Sequence, residues 1–82
     1  MEPTPRIAGN DTYYADIGRE MTRLGCDMGT AEIELLHNTI KGLRARGWTH
    51  QQIQTQFQQF WGLKKSAYQV RLQWIRQRYA LP

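Results

Sequence analysis

Residues 48–79 read WTHQQIQTQFQQFWGLKKSAYQVRLQWIRQRY, and this stretch decides the fold. Thr49 and Gln52 stand where a capping box needs them, the hydroxyl accepting from one backbone N–H and the amide returning to another, with Trp48 and Ile53 at the staple positions. A helix starts there. Ile53, Phe57, Phe60 and Trp61 recur at helical spacing and predict its buried face, and Gly62 supplies a left-handed stop. Beyond Leu63-Lys64-Lys65, Ser66 and Gln69 repeat the box pattern, which predicts a last helix running to about Tyr79. Two helices of about a dozen residues, separated by a short turn containing glycine, have the form of a helix-turn-helix.

Working upstream, Thr30 is the expected N-cap of a preceding helix, with Glu32 and Glu34 near its start and Lys41, Arg44 and Arg46 near its end, an order that complements the helix dipole. Ile33, Leu36, Ile40 and Leu43 form its apolar stripe, and Gly47 ends it. Tyr14, Ile17, Met21, Leu24 and Met28 recur at spacings of three and four, so a further amphipathic helix is expected over residues 12–24 with Gly25 as its stop. No segment has the alternation of a strand. The expected fold is therefore all-α. Residues 1–10 read as a flexible arm, 11–29 as an acidic N-terminal helix and linker, and 30–82 as a three-helix helix-turn-helix domain.

On a helical wheel the last helix carries two apolar arcs. Ala67, Val70 and Trp74 make one, and Tyr68, Leu72, Ile75 and Tyr79 the other. Arg71 and Arg78 separate them on one side, Gln69, Gln73, Arg76 and Gln77 on the other. Two apolar arcs call for two packing partners: the core, and either the N-terminal helix, a second subunit or another protein.

Charge is segregated along the chain. All seven acids lie at or before Glu34, so residues 1–37 carry three basic against seven acidic side chains, while residues 38–82 carry eight basic side chains and no acid. A cationic half of this kind is the footprint expected for a polyanion, most simply nucleic acid. All nine glutamines fall between Gln51 and Gln77, and residues 47–63 carry no formal charge. Glutamine can donate to phosphates or pair with adenine edges.

Several classes of function find no support. Eighty-two residues bury about 60–65% of the unfolded surface, so a large cofactor pocket is not expected and no cofactor is assigned. With no carboxylate after residue 34 and no glycine-rich phosphate loop, the chain does not read as an enzyme. Cys26, His37 and His50 lack metal-ligand spacing. No apolar run approaches the ~20 residues of a membrane span, and the start, Met1-Glu2-Pro3-Thr4-Pro5-Arg6, lacks the basic-then-apolar pattern of a signal peptide. The expected location is the cytoplasm, at the nucleoid, or the nucleus.

Lys65-Ser66-Ala67-Tyr68-Gln69-Val70-Arg71-Leu72-Gln73-Trp74 resembles the third helix of Myb/SANT-type, homeodomain-like domains, and Gly47-Trp48-Thr49 with Ile53 resembles the entry to that family's second helix. The resemblance spans roughly residues 31–80. It implies a core containing Val70 and Trp74, and a third helix in the DNA major groove with Tyr68, Arg71, Leu72, Ile75 and Arg76 toward the bases. The chain departs from the pattern at Leu36, near where the family has a first-helix tryptophan, and at Leu72 and Ile75, which are aliphatic where base-reading residues are polar.

The leading expectation is a small DNA-binding helix-turn-helix protein, a transcriptional regulator or accessory factor, with DNA ahead of RNA. Lys64, Lys65 and Arg71 are the expected phosphate anchors, with Ser66 and Tyr68 beside them and Arg44 and Arg46 as outlying contacts. Gln69, Gln73 and Arg76 are the candidates for base edges. A homodimer through Tyr14, Ile17, Met21 and Leu24 would extend the short site that one copy reads. The alternatives are a protein-interaction module, adaptor or inhibitor, that docks the Tyr68, Leu72, Ile75 and Tyr79 stripe, and a structural subunit that oligomerises through the same stripe.

Overall fold

The computed structural model describes residues 10–79, with the side chains of residues 10 and 11 outside the description. It contains four helices: α1 (Asn10–Leu24), α2 (Met28–Ala45), α3 (His50–Trp61) and α4 (Lys65–Arg78). The arm expected over residues 1–10 lies, apart from Asn10, outside the described residues.

Local signals account for most of the boundaries. The capping box of α3 forms as its sequence requires: the Gln52 N–H donates to Thr49 Oγ1 at 3.1 Å, and the Thr49 N–H donates to Gln52 Oε1 at 2.8 Å. At its other end Gly62 adopts φ +69°, and the Leu63 N–H closes onto the Phe57 carbonyl at 3.3 Å. This left-handed residue turns the chain into α4, and a side chain with a Cβ would be strained there. Two expected caps do not form. Asp27, not Thr30, caps α2, its carboxylate accepting from the Thr30 N–H at 2.8 Å, so the helix starts two residues before Thr30. In α4 the N-cap is Lys64, one residue before the helix starts at Lys65, so Ser66 lies inside the first turn and the lysine ammonium, which only donates, cannot cap the free N–H groups; Gln69 instead donates to Gln54 Oε1 at 3.4 Å.

One core joins all four helices. Tyr13 and Ile17 of α1, Ala31, Leu36 and Ile40 of α2, Ile53, Phe57 and Trp61 of α3, Leu63 of the turn, and Tyr68, Leu72 and Ile75 of α4 are all buried. α1 packs against α2 and α3, while α4 packs against α2 and α3. The α1 and α4 backbones do not pack on each other, and side chains alone bridge the space between them.

α4 buries the arc opposite to the one the family resemblance implies. Val70 and Trp74 are 45% and 41% exposed, whereas Tyr68, Leu72 and Ile75 are at most 3% exposed. The reason is volume and polarity together. Each large apolar side chain contributes about 1.5–3 kcal/mol on burial, and the inner arc has three buried members and half-buried Tyr79 against two plus an alanine. Tyr68 also finds a partner for its hydroxyl in His50 Nδ1, at 2.9 Å, and an edge-on contact with the Phe57 ring.

Further corrections fall on single residues. Phe60, expected inside, is 52% exposed, since Phe57 and Trp61 already fill the inner face of α3. In α1 the inner pair is Tyr13 and Ile17, a spacing of four, and Tyr14 and Leu24 turn outward at 49% and 41% exposure. The stripe expected to form a homodimer is thereby divided: Ile17 is core, Met21 is half-buried against the core, and only Tyr14 and Leu24 face outward.

Candidate nucleic-acid interface

With Tyr68, Leu72 and Ile75 turned inward, the opposite half of α4 is open. Lys65, Ser66, Gln69, Val70, Gln73, Trp74, Arg76 and Gln77 are all exposed. Successive residues are about 100° apart on a helix, so Lys65, Arg76, Gln69, Gln73 and Gln77 form one continuous polar strip, bordered by Val70 and Trp74 on its far side. Lys64 is exposed in the turn immediately before it. Hence Lys64, Lys65, Ser66, Gln69, Gln73 and Arg76, expected at the interface, do come together on one surface. Gln77 joins them, a member of the polar strip on the wheel but not one of the expected contacts.

Tyr68 and Arg71 behave otherwise. Tyr68 is 1% exposed and offers nothing to a ligand. Burial raises its pKa to about 12, against the opposing influence of the nearby Arg76 and Arg44 guanidinium groups. Arg44 is half-buried and donates through Nη1 to the Trp48 carbonyl at 2.8 Å, tying the end of α2 to the start of α3. Arg46, the C-cap of α2, is exposed.

Arg71 is half-buried in a network that the sequence does not announce. Its Nε donates to Glu32 Oε2 at 2.7 Å and to the Tyr13 hydroxyl oxygen at 3.2 Å, and the Tyr13 hydroxyl donates to the same carboxylate. Burial works against the Arg71 charge, but the hydrogen bonds to Glu32 and Tyr13 more than offset it and raise its pKa. Burial, reinforced by Glu32, drives the Tyr13 pKa far above the ordinary phenol value and keeps that group neutral. The partners lie 39 and 58 residues from Arg71 in the chain, so no local pattern could reveal them.

Every carboxylate with a described side chain is engaged within the chain. Asp16 accepts from Arg19 and from Trp61 Nε1, the latter at 2.7 Å. Glu20 pairs with Arg23, Asp27 caps α2, Glu32 holds Arg71, and Glu34 accepts from the Tyr79 hydroxyl. Among the described residues Arg71 is the one base after residue 37 that forms a salt bridge; Lys41, Arg44, Arg46, Lys64, Lys65, Arg76 and Arg78 form none. The segregation visible in the sequence thus survives folding.

The stripe proposed for a partner protein is not a surface. Tyr68, Leu72 and Ile75 are core, and the ring of half-buried Tyr79 stacks on His37 with centroids 4.1 Å apart. Among the described residues no group of three His, Cys, Asp or Glu side chains is arranged to hold a metal ion, and no helix is long and apolar enough to cross a membrane. No family model, curated protein or solved structure matches the chain.

Proposed function

We propose that the chain is a small DNA-binding helix-turn-helix protein, a transcriptional regulator or accessory factor, that reads DNA with the open face of α4. The observation that supports this reading is the continuous strip of Lys65, Arg76, Gln69, Gln73 and Gln77, with Lys64 before it and no carboxylate on it. Lysines attract the phosphate backbone irrespective of sequence, and glutamine side chains present the paired donor and acceptor that adenine edges require. Gln69 and Gln73 are the base-reading residues, and Lys64, Lys65 and Arg76 carry the charge. The Myb/SANT resemblance supports the choice of helix, although of the residues it would turn to the bases α4 exposes Arg76 alone, with Arg71 half-buried and Tyr68, Leu72 and Ile75 in the core.

A mobility-shift series on mixed-sequence duplex DNA tests this. Binding should weaken steeply with salt, and Lys64→Ala with Lys65→Ala should reduce the slope of log affinity against log salt by about 1.8, or about 0.9 for each phosphate that the variant no longer neutralises. Absence of any shift at about 50 mM salt would remove the reading.

A protein-interaction role is the second reading, and exposed Val70 and Trp74 favour it. It requires a partner whose binding is lost in Val70→Asp and kept in the double lysine variant.

A further inference from the structure

We infer that the cavity of about 260 Å³ between α1 and the turn before α4 is a seat for one phosphate oxyanion of the nucleic-acid backbone, held by Arg71, Lys64 and Ser66. This rests on the DNA-binding reading and adds to it a contact away from the glutamine strip.

The cavity exists because α1 and α4 do not pack on each other, and Arg71 spans the gap. Its guanidinium is held on several sides. Nε is bound to Glu32 and Tyr13, Nη1 donates to the Ala67 carbonyl at 3.4 Å, and the rings of Tyr13 and Trp74 lie 5.9 and 5.3 Å from its central carbon. Nη2 donates to no acceptor among the described residues and is not fully enclosed, on a side chain 22% exposed. A charged donor is thus fixed in place with one edge unused, and it lines an open cavity. Ordering an arginine side chain normally opposes binding, and here folding has already done it. The planar guanidinium and a phosphate oxygen are matched donor and acceptor.

The other lining groups fit the same ligand. Lys64 and Ser66 are exposed at the rim, bringing an ammonium without a salt-bridge partner and a hydroxyl. Glu32 offsets the Arg71 charge, so Lys64 supplies the net positive charge and Arg71 the direction. Tyr13 is neutral and does not repel an anion. Lys64 and Ser66 also border the start of the open α4 face, so the seat adjoins that face at its N-terminal end, while Arg71 approaches it from the side of α4 opposite Gln69 and Gln73.

The test is a pair of NMR titrations of the ¹⁵N-labelled full chain, one with mixed-sequence duplex DNA and one with inorganic phosphate, following the Arg71 Nε–H, the Ser66 and Ala67 backbone amides and the Gln69 and Gln73 side-chain amides. With duplex, both groups of signals should shift, and Ser66→Ala should weaken binding about ten- to hundredfold, as loss of one hydrogen bond to a charged group requires, with the helical circular dichroism unchanged. If the glutamine signals move and those of Arg71, Ser66 and Ala67 do not, the seat is refuted and the α4 reading stands. If inorganic phosphate moves the seat signals and duplex does not, the site is for a small anion and the backbone assignment fails. No shift at either group with duplex removes both proposals.

Discussion

Replacing Ile75 with alanine and, separately, Val70 with alanine discriminates between the two possible rotations of α4. Ile75 is completely buried, and truncating such a residue costs about 2–5 kcal/mol through lost transfer energy and the cavity left behind. A domain of this length is stable by about 4–12 kcal/mol, so Ile75→Ala removes a large fraction of the total. At about 4–8 °C per kcal/mol, the melting temperature falls by roughly 8–40 °C. Val70 is 45% exposed, and the better helix propensity of alanine offsets the little burial that is lost, so Val70→Ala stays within about 0.5 kcal/mol of the parent. Urea unfolding followed by far-ultraviolet circular dichroism measures both, comparing midpoints at a common slope. A Val70→Ala midpoint as low as that of Ile75→Ala, or lower, would mean that α4 is turned to bury Val70 and Trp74. The open glutamine strip would then be lost as well.

Three more outcomes follow from the geometry. Thr49→Ala removes the hydroxyl half of the α3 capping box and should cost about 1 kcal/mol in the same unfolding assay, while Asp27→Ala, which removes the cap itself, should destabilise α2 more than Thr30→Ala, which removes only a supporting hydroxyl. Glu32→Gln leaves Arg71 without its carboxylate in a half-buried position and should cost about 1–3 kcal/mol, less than a fully buried pair because both side chains keep some exposure; an unchanged midpoint would show that the pair does not hold α4 to α2. Tyr68 and Tyr13 have folded-state pKa values above the ordinary phenol value of about 10, so their contribution to stability is complete below that pH and is lost as pH rises through about 12 and beyond. Ultraviolet titration should find these two phenols ionising only together with unfolding, and ionisation of both near pH 10 in the folded chain would contradict their burial.

What could be read from the sequence was whatever is decided within a few residues. Thr49 with Gln52, Gly25, Gly47 and Gly62, and the apolar spacings of three and four set the existence and approximate ends of four helices and the turn between the last two. The segregation of charge was legible for the same reason, since it requires counting along the chain and no knowledge of contacts. The polar strip of Gln69, Gln73, Arg76 and Gln77 could also be drawn on a wheel.

Which way that strip points could not. α4 carries two apolar arcs, and a helix in isolation has no reason to prefer one of them. The choice is made by partners far off in the chain: His50 for the Tyr68 hydroxyl, Phe57 for its ring, and Glu32 and Tyr13 for Arg71. The same holds in α1, where Tyr13 and Tyr14 both fit helical spacing to Ile17, and only the Glu32 carboxylate and the Trp61 ring, 5.3 Å away, select Tyr13. Local backbone hydrogen bonds determine that a segment is helical, but which side of it meets solvent is set by side-chain volume and polar pairing across the core, and these come into being only when the helices meet.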